Sequence, residues 1–270
     1  MRMALSRRPA ARFARGGGFP LFPSLASLAL AALAALIAQG VAPRAARGEA
    51  SAEATRWFVS GPSRTPVLVY PPRDRGAPRP ALLHLHSYCW HPVDECPLMA
   101  PGASATHWLL CPRATSRCAN GGFSRAGGYS HGAGTAALVD ETFATFAAAF
   151  PDDARGAAVL SGFSQGAYAA ARLAQAGTPG RFSHLLLIAA NVTLDPDKLR
   201  RTGIRSVLLA AGESDGTRAA MAREAKRLEA KGFRASFRSL GRIGHDFPPD
   251  MSDWVRGALA WFAEADAPEP

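Results

Sequence analysis

Three residues that can cooperate in nucleophilic catalysis follow one another along this chain of 270 residues: Ser164, Asp215 and His245. A serine hydroxyl attacks well only when a base removes its proton, and an imidazole does this near neutral pH. A carboxylate bound to the far ring nitrogen fixes the tautomer and the orientation of that imidazole. The order therefore predicts a catalytic triad with Ser164 as nucleophile, His245 as base and Asp215 as the orienting acid.

The segment around Ser164 predicts how its hydroxyl is presented. A short apolar strand that starts at Val159 leads into the turn Gly162-x-Ser164-x-Gly166, and an Ala-rich helix follows over 165–176. A serine on such a turn has a strained backbone, and the two glycines let neighbouring backbone pass close by. This pattern resembles the nucleophile elbow of the α/β-hydrolases. The resemblance covers residues 56–263 and is closest to small esterases, the dienelactone-hydrolase-like and polyhydroxyalkanoate-depolymerase-like proteins.

The resemblance implies an α/β fold with a mostly parallel central sheet, helices on both faces and no large lid. It also implies that no cofactor or metal is needed and that two backbone amides bind the oxyanion, those of Gln165 and Tyr88. These esterases usually have His-Gly before that second amide, whereas this chain has His86 followed by Ser87. Ser87 is the second choice for the donor, and His86 is expected to hold the loop.

Hydrophobic patterns predict the elements that would position these residues. Strands are expected at 56–60, 67–70, 81–86, 107–110, 182–190, 207–211 and 234–240, and helices at 135–150, 221–231 and 253–263. The charged segment 193–203 is a loop or a short helix. The segment 89–106 holds three prolines and is predicted to be a loop with little room for a helix.

Each member of the predicted triad has an alternative. Asp215 could instead cap a helix, and Asp195 is the main alternative acid, with Glu213 and Asp246 less favoured. His245 is the only histidine that follows the predicted acid.

Four cysteines, Cys89, Cys96, Cys111 and Cys118, indicate two disulfides if the chain is exported. The favoured pairing is local, Cys89–Cys96 with Cys111–Cys118. The nested pairing, Cys89–Cys118 with Cys96–Cys111, stays open. A zinc site that includes His86 or His91 is a weaker alternative, because the cysteine spacing is not the usual short pair.

Residues 1–50 resemble a signal peptide and spacer. Five arginines precede an apolar run at 21–41, and small residues at 40–42 and 50–52 offer cleavage sites. Export to the periplasm or outside the cell is expected, and a membrane anchor only if this segment is retained. The segment holds seven of the basic residues that make the net charge +10. The rest of the chain therefore carries a much smaller net charge, and a nucleic-acid partner is not expected. Residues 264–270 are expected to form a loose tail.

These features together predict a serine carboxylesterase that acts on a small or polymeric ester. A prolyl-oligopeptidase-like peptidase or an acyltransferase could use the same scaffold. A catalytically silent exported binding protein is the alternative from a different class, and the His86-Ser87-Tyr88 segment is its only support. The oligomeric state stays open.

Overall fold

Strands and helices alternate along the chain in the computed structural model, which describes residues 56–60, 65–124, 133–151 and 156–266. The strands are β1 Arg56–Ser60, β2 Thr65–Tyr70, β3 Ala81–Leu85, β4 Trp108–Pro112, β5 Ser116–Arg117, β6 Phe123–Ser124, β7 Ala158–Phe163, β8 Phe182–Ile188, β9 Ser206–Ala211 and β10 Arg234–Ser239. The helices are α1 Pro92–Ala103, α2 Ala133–Ala149, α3 Gln165–Ala176, α4 Pro196–Thr202, α5 Arg218–Glu229 and α6 Met251–Glu264.

Eight strands form one sheet in the order β1-β2-β4-β3-β7-β8-β9-β10. The six strands from β4 to β10 in that order are parallel, and β1 and β2 add an antiparallel edge. Strands β5 and β6 form a separate two-stranded ladder. A parallel sheet aligns the carboxyl ends of its strands at one edge, which is where loops that carry functional groups gather. The predicted mostly parallel sheet is confirmed.

Helices cover both faces of the sheet. On one face α2, α3 and α5 bury a cluster that includes Leu160, Leu185 and Leu209. On the other face α1 and α6 bury a second cluster that includes Val159 and Leu208. The central strands are apolar at consecutive positions because both of their faces are covered. From residue 156 to 266, where the described chain is continuous, it contains only the strands, helices and connecting loops of this sandwich.

Helix α1 corrects the prediction of a loop without a helix at 89–106. His91 caps the helix and Pro92 occupies its first turn, where a missing N–H is tolerated. Pro97 and Pro101 follow four residues apart, so both lie on the face that starts with exposed Val93. The carbonyl groups that lose their helical partners therefore face water rather than the core.

The disulfides also correct a prediction, since the favoured local pairing is wrong. Cys89 is bonded to Cys118 and Cys96 to Cys111, which is the nested arrangement. The reason lies in the topology: α1 carries Cys96 back over β4, which contains Cys111, and the loop before α1 meets the loop after β4. All four cysteines are used, so they do not supply thiolate ligands to zinc.

The predicted signal peptide and spacer lie outside the described residues. Within the described part of the chain, no helix combines the length and the apolar character needed to cross a bilayer. Of the predicted tail, Glu264 ends α6, and Asp266 forms an ion pair with Arg205 and a hydrogen bond with His184. The last four residues lie outside the described part.

Candidate active site

Ser164 lies on the sharp turn between β7 and α3, where the sequence predicts it. Its φ and ψ are 51° and −115°, a left-handed conformation that is costly for a residue with a Cβ. The turn is held by a hydrogen bond of 2.9 Å from the Ser164 amide to the Ile188 carbonyl. The Ser164 side chain makes no capping hydrogen bond to α3, although the helix starts at the next residue. Its hydroxyl is therefore not used to hold the helix.

Asp215 and His245 lie together just beyond β9 and β10. His245 Nδ1 and Asp215 Oδ2 are 2.9 Å apart, and the Asp215 side chain is 1% exposed while that of His245 is 47% exposed. Asp215 Oδ1 accepts hydrogen bonds from the Thr217 amide and hydroxyl at 2.7 and 2.8 Å. Both carboxylate oxygens are thus satisfied, and the one that faces His245 is fixed in place.

The pKa of Asp215 is lowered below its ordinary value of 3.8. Burial is the largest single effect and raises this pKa, because it disfavours the charged form. The hydrogen bonds from Thr217 and the pairing with His245 act the other way and together outweigh it. Asp215 is therefore a carboxylate near neutral pH, as a group that orients an imidazole must be.

The alternative acids have other partners. Asp195 caps α4 by accepting hydrogen bonds from the Asp197 and Lys198 amides. Asp246 accepts a hydrogen bond from the Phe247 amide at 2.8 Å. Glu213 is exposed, and within the described part of the chain the ion pair of His245 is with Asp215 rather than with Glu213. Asp215 is thus the carboxylate that meets His245, as predicted from the spacing.

Aromatic packing brings His245 close to the serine turn. The His245 ring lies 5.1 Å from the ring of Phe163, the residue before Ser164, and Phe163 also contacts Phe247. Between the described residues there is no hydrogen bond from His245 to the Ser164 hydroxyl. Such bonds often form only when substrate is bound.

The predicted oxyanion segment approaches the start of α3. A methyl group at Gly166 would overlap the carbonyl of Leu85, so glycine is what allows α3 to touch the end of β3. Gln165 is the first residue of α3, where backbone N–H groups have no helical partner. The Ser87 amide donates to Glu95 at 2.9 Å. Because the Ser87 amide is already hydrogen-bonded, the Tyr88 amide, the first choice for the second oxyanion donor, remains the candidate.

His86 holds the loop, as the resemblance implies. Its Nε2 accepts a hydrogen bond of 2.9 Å from the Ala114 amide, so the ring proton is on Nδ1. Nδ1 then donates to the Ser87 carbonyl at 2.8 Å. Within the described residues there is no cluster of three or more His, Cys, Asp or Glu side chains that could hold a metal ion.

Exposed apolar side chains lie beside this loop. Among the described residues, the large hydrophobic side chains that are exposed all fall at 88–98: Tyr88, Trp90, Val93 and Leu98. A cavity of about 690 Å³ next to them is lined by residues that include Trp90, Leu98 and Asn120. The surface next to Tyr88 is thus open and partly aromatic.

Two residues of this site were not predicted from the sequence. Thr217 stands two residues after Asp215, and a hydroxyl at that spacing is a signal that could have been used. Glu95 was missed because its segment was expected to be a loop. The order His91-Pro92 is a signal of a helix start that could have placed Glu95 in a first turn.

Solved structures of hydrolases resemble this chain at low sequence identity. FphF of Staphylococcus aureus, a fluorophosphonate-binding serine hydrolase, has a TM-score of 0.57 and 14% identity, covering 77% of this chain and 97% of its own. An S-formylglutathione hydrolase from Agrobacterium tumefaciens has a TM-score of 0.55 and 16% identity, covering 78% and 94%. An esterase from Pyrobaculum calidifontis has a TM-score of 0.56 and 16% identity, covering 80% and 86%.

The chain has the α/β-hydrolase fold. The fold predicted from the elbow motif and the strand pattern is therefore confirmed. No family model and no curated protein matches the sequence. In the α/β-hydrolase fold, the amide after the nucleophile and an amide from the loop after a neighbouring strand bind the oxyanion. In this chain Gln165 follows Ser164, and Tyr88 lies in the loop between β3 and α1, so these two amides stay the predicted donors.

Proposed function

We propose that this protein is a serine hydrolase that cleaves carboxylic esters through an acyl-enzyme on Ser164. His245 removes the proton of the Ser164 hydroxyl as that oxygen attacks the ester carbonyl, and it then protonates the leaving alcohol. A water molecule activated by His245 releases the acid in the second half of the cycle. The observation that carries the proposal is the pairing of His245 with the buried Asp215 beside a serine with φ of 51°.

Backbone amides are proposed to stabilise the tetrahedral intermediate. The Gln165 and Tyr88 amides would share the negative charge that develops on the carbonyl oxygen. The solved structures that resemble this chain include a serine hydrolase and an esterase, which supports the same chemistry here.

A loss-of-function variant tests the proposal. We expect Ser164→Ala to lose turnover of p-nitrophenyl acetate and labelling by a fluorophosphonate while it keeps the melting temperature of the natural protein. Ser214→Ala is the control, because Ser214 is an exposed serine next to Asp215. Full hydrolysis by Ser164→Ala would disprove the assignment of the nucleophile. Absence of labelling in the natural protein would favour a catalytically silent binding protein.

The substrate class follows from the open site. Without an inserted domain between residues 156 and 266, short-chain or exposed polymeric esters fit better than long lipids, and the exposed aromatic residues beside Tyr88 support a polymeric substrate. An ester panel of increasing acyl length tests this, and a strong preference for long chains would contradict it. Aminoacyl amides and acyl-acceptor alcohols in the same panel distinguish a peptidase or an acyltransferase.

We further infer that the protein is exported. Two disulfides, one of them fully buried, support folding in an oxidising compartment. Cell fractionation together with N-terminal sequencing of the mature chain tests this inference. A full-length chain that is confined to the cytosol would contradict it.

A further inference from the structure

A buried carboxylate outside the proposed triad holds the segment that carries the Tyr88 amide. Glu95 lies near the start of α1, and its side chain is fully buried. Its Oε1 accepts a hydrogen bond of 2.9 Å from the Ser87 amide and another from the Ser87 hydroxyl. A buried charge is tolerated only when it is well partnered, so these bonds couple Glu95 tightly to Ser87.

The second oxygen of Glu95 is held from the sheet. Oε2 lies 3.1 Å from His84 Nε2, and His84 Nδ1 lies 3.1 Å from the Ser161 hydroxyl oxygen. Because a carboxylate only accepts, His84 donates through Nε2 and its other nitrogen faces Ser161. The disulfide from Cys96 to Cys111 fixes the adjoining residue of α1 against β4. Glu95 is thus anchored independently of the loop that it binds.

The geometry of one peptide group transmits this anchoring to Tyr88. The Ser87 carbonyl and the Tyr88 N–H belong to the same planar unit, and in a trans peptide they point in opposite directions. All peptide bonds of the described residues are trans. His86 Nδ1 holds the Ser87 carbonyl at 2.8 Å, while Glu95 holds the Ser87 amide and side chain. With both sides of Ser87 fixed, the direction of the Tyr88 N–H is fixed as well.

We propose that Glu95 is a positioning residue for ester hydrolysis, which acts through Ser87 to aim the Tyr88 amide at the developing oxyanion. This inference rests on the proposed function. It also explains how a serine can stand where the esterases that this chain resembles usually have glycine. The added hydroxyl has a buried partner, and the loop gains a second hydrogen bond to α1 in return.

The test replaces the carboxylate with an amide of the same size. In Glu95→Gln the charge is lost, so the hydrogen bonds from the Ser87 amide and hydroxyl weaken even where the amide oxygen faces them, and the Ser87 segment is held less firmly. We expect kcat per fluorophosphonate-labelled site to fall about 10- to 100-fold with KM nearly unchanged, since a misaimed amide weakens transition-state binding. Hydrogen exchange in the peptide that contains Tyr88 should rise. A general loss of stability would not by itself produce both the lower kcat per labelled site and the faster exchange at Tyr88.

Glu224→Gln is the matched control. Glu224 is also a buried carboxylate that accepts a backbone amide, from Leu194 at 2.7 Å, but it lies on α5 at the other face of the sheet. The Glu224→Gln variant should lower the melting temperature without changing kcat per labelled site or exchange at Tyr88.

A second variant, Ser87→Ala, removes the hydroxyl and keeps the amide. We expect a smaller loss of kcat, and the double variant Glu95→Gln/Ser87→Ala should lose no more than Glu95→Gln alone. Unchanged kcat and unchanged exchange in Glu95→Gln would overturn the proposal, and Ser87→Ala decides by the same criteria if Glu95→Gln does not fold. If the natural protein neither hydrolyses esters nor reacts with the label, the proposed function fails. Exchange at Tyr88 then decides separately whether Glu95 holds the loop.

Discussion

At the scale of single residues, hydrogen bonds fix the orientation of the side chains in the candidate site. Thr217 satisfies one oxygen of Asp215, so the other oxygen is directed at His245. Because the resulting pKa of Asp215 is lowered, the hydrogen bonds favour its ionised form in the folded protein. Their stabilisation is present above the ordinary pKa of 3.8 and is lost as the pH falls through the lowered value. Asp215 should therefore not set the acid limit of activity near neutral pH.

We expect Asp215→Asn to reduce kcat by about 10³- to 10⁴-fold, because an amide can hold His245 in the wrong tautomer. Steady-state kinetics with p-nitrophenyl acetate at pH 7.5 measures this loss. Asp246→Asn, one residue from His245, is the control and should stay within a few-fold of the natural protein. Equal losses in the two variants would contradict the assignment of Asp215.

Gly166→Ala should lower both stability and activity, because the added methyl overlaps the backbone of β3 at Leu85. Moving α3 away from β3 also separates the Gln165 amide from the Tyr88 amide. Gly257→Ala is the control: it lies in α6 with open space around it and should stabilise the protein by up to about 1 kcal/mol. Urea denaturation and ester kinetics on both variants check the prediction, which fails if Gly166→Ala behaves like Gly257→Ala.

At the scale of secondary-structure elements, the two disulfides hold different parts of the structure. Cys96 and Cys111 are fully buried and join α1 to β4, whereas Cys89 and Cys118 are partly exposed and join the loops beside Tyr88. Both pairs should therefore contribute to stability, and the second should also maintain the geometry of the proposed site.

A matched pair of double variants tests this division. Cys96→Ala/Cys111→Ala should lose about 3 kcal/mol of unfolding free energy, the entropy expected for closing a loop of about 15 residues. Cys89→Ala/Cys118→Ala opens a longer loop, with a sequence separation of 29, so it should lose at least as much unfolding free energy and, unlike the first variant, should also lose ester turnover. Kinetics beside chemical denaturation distinguishes the two outcomes, and identical profiles would contradict the division.

Local pattern was sufficient to predict most of this fold. The boundaries of β1 and α3 agree with prediction at every residue, because turn residues and an elbow motif mark their ends. Helix α1 was not predictable by counting prolines, since Pro97 and Pro101 are tolerated only because their face of the helix points to water. The disulfide pairing depends on which loops meet in space, and Glu95 depends on α1, so neither could be derived from spacing alone.

At the scale of the whole molecule, a second buried polar group ties the chain end to the sheet. His184 on β8 contacts Ser206 at 2.7 Å and Asp266 at 3.0 Å.

A neighbouring histidine, His107, has a strongly lowered pKa of about 4. Burial is the main cause, the charges of His184 and Arg79 add to it, and Asp266 opposes the shift. The folded protein thus resists protonation at His107.

This shift predicts a loss of stability in mild acid. The unfolded chain protonates His107 near pH 6.5 and the folded protein only near pH 4, so the unfolding free energy falls as the pH drops between these values. The full effect is about 3 kcal/mol. His107→Gln should show a flatter decline of the urea midpoint from pH 7 to pH 4.5. A decline parallel to that of the natural protein would contradict the shift.

The left-handed backbone at Ser164 implies that this protein gives up some stability to keep a hydroxyl at that position. Glycine is the residue that such a turn prefers, and the conformation costs another residue on the order of 1 kcal/mol. Ser164→Gly should therefore be an inert protein that melts at a higher temperature than the natural one, and Ser164→Ala should not share that gain. Selection for thermal endurance alone would remove the side chain on which turnover is proposed to depend, so retaining a serine at this turn is a thermodynamic cost that the proposed role of Ser164 would account for.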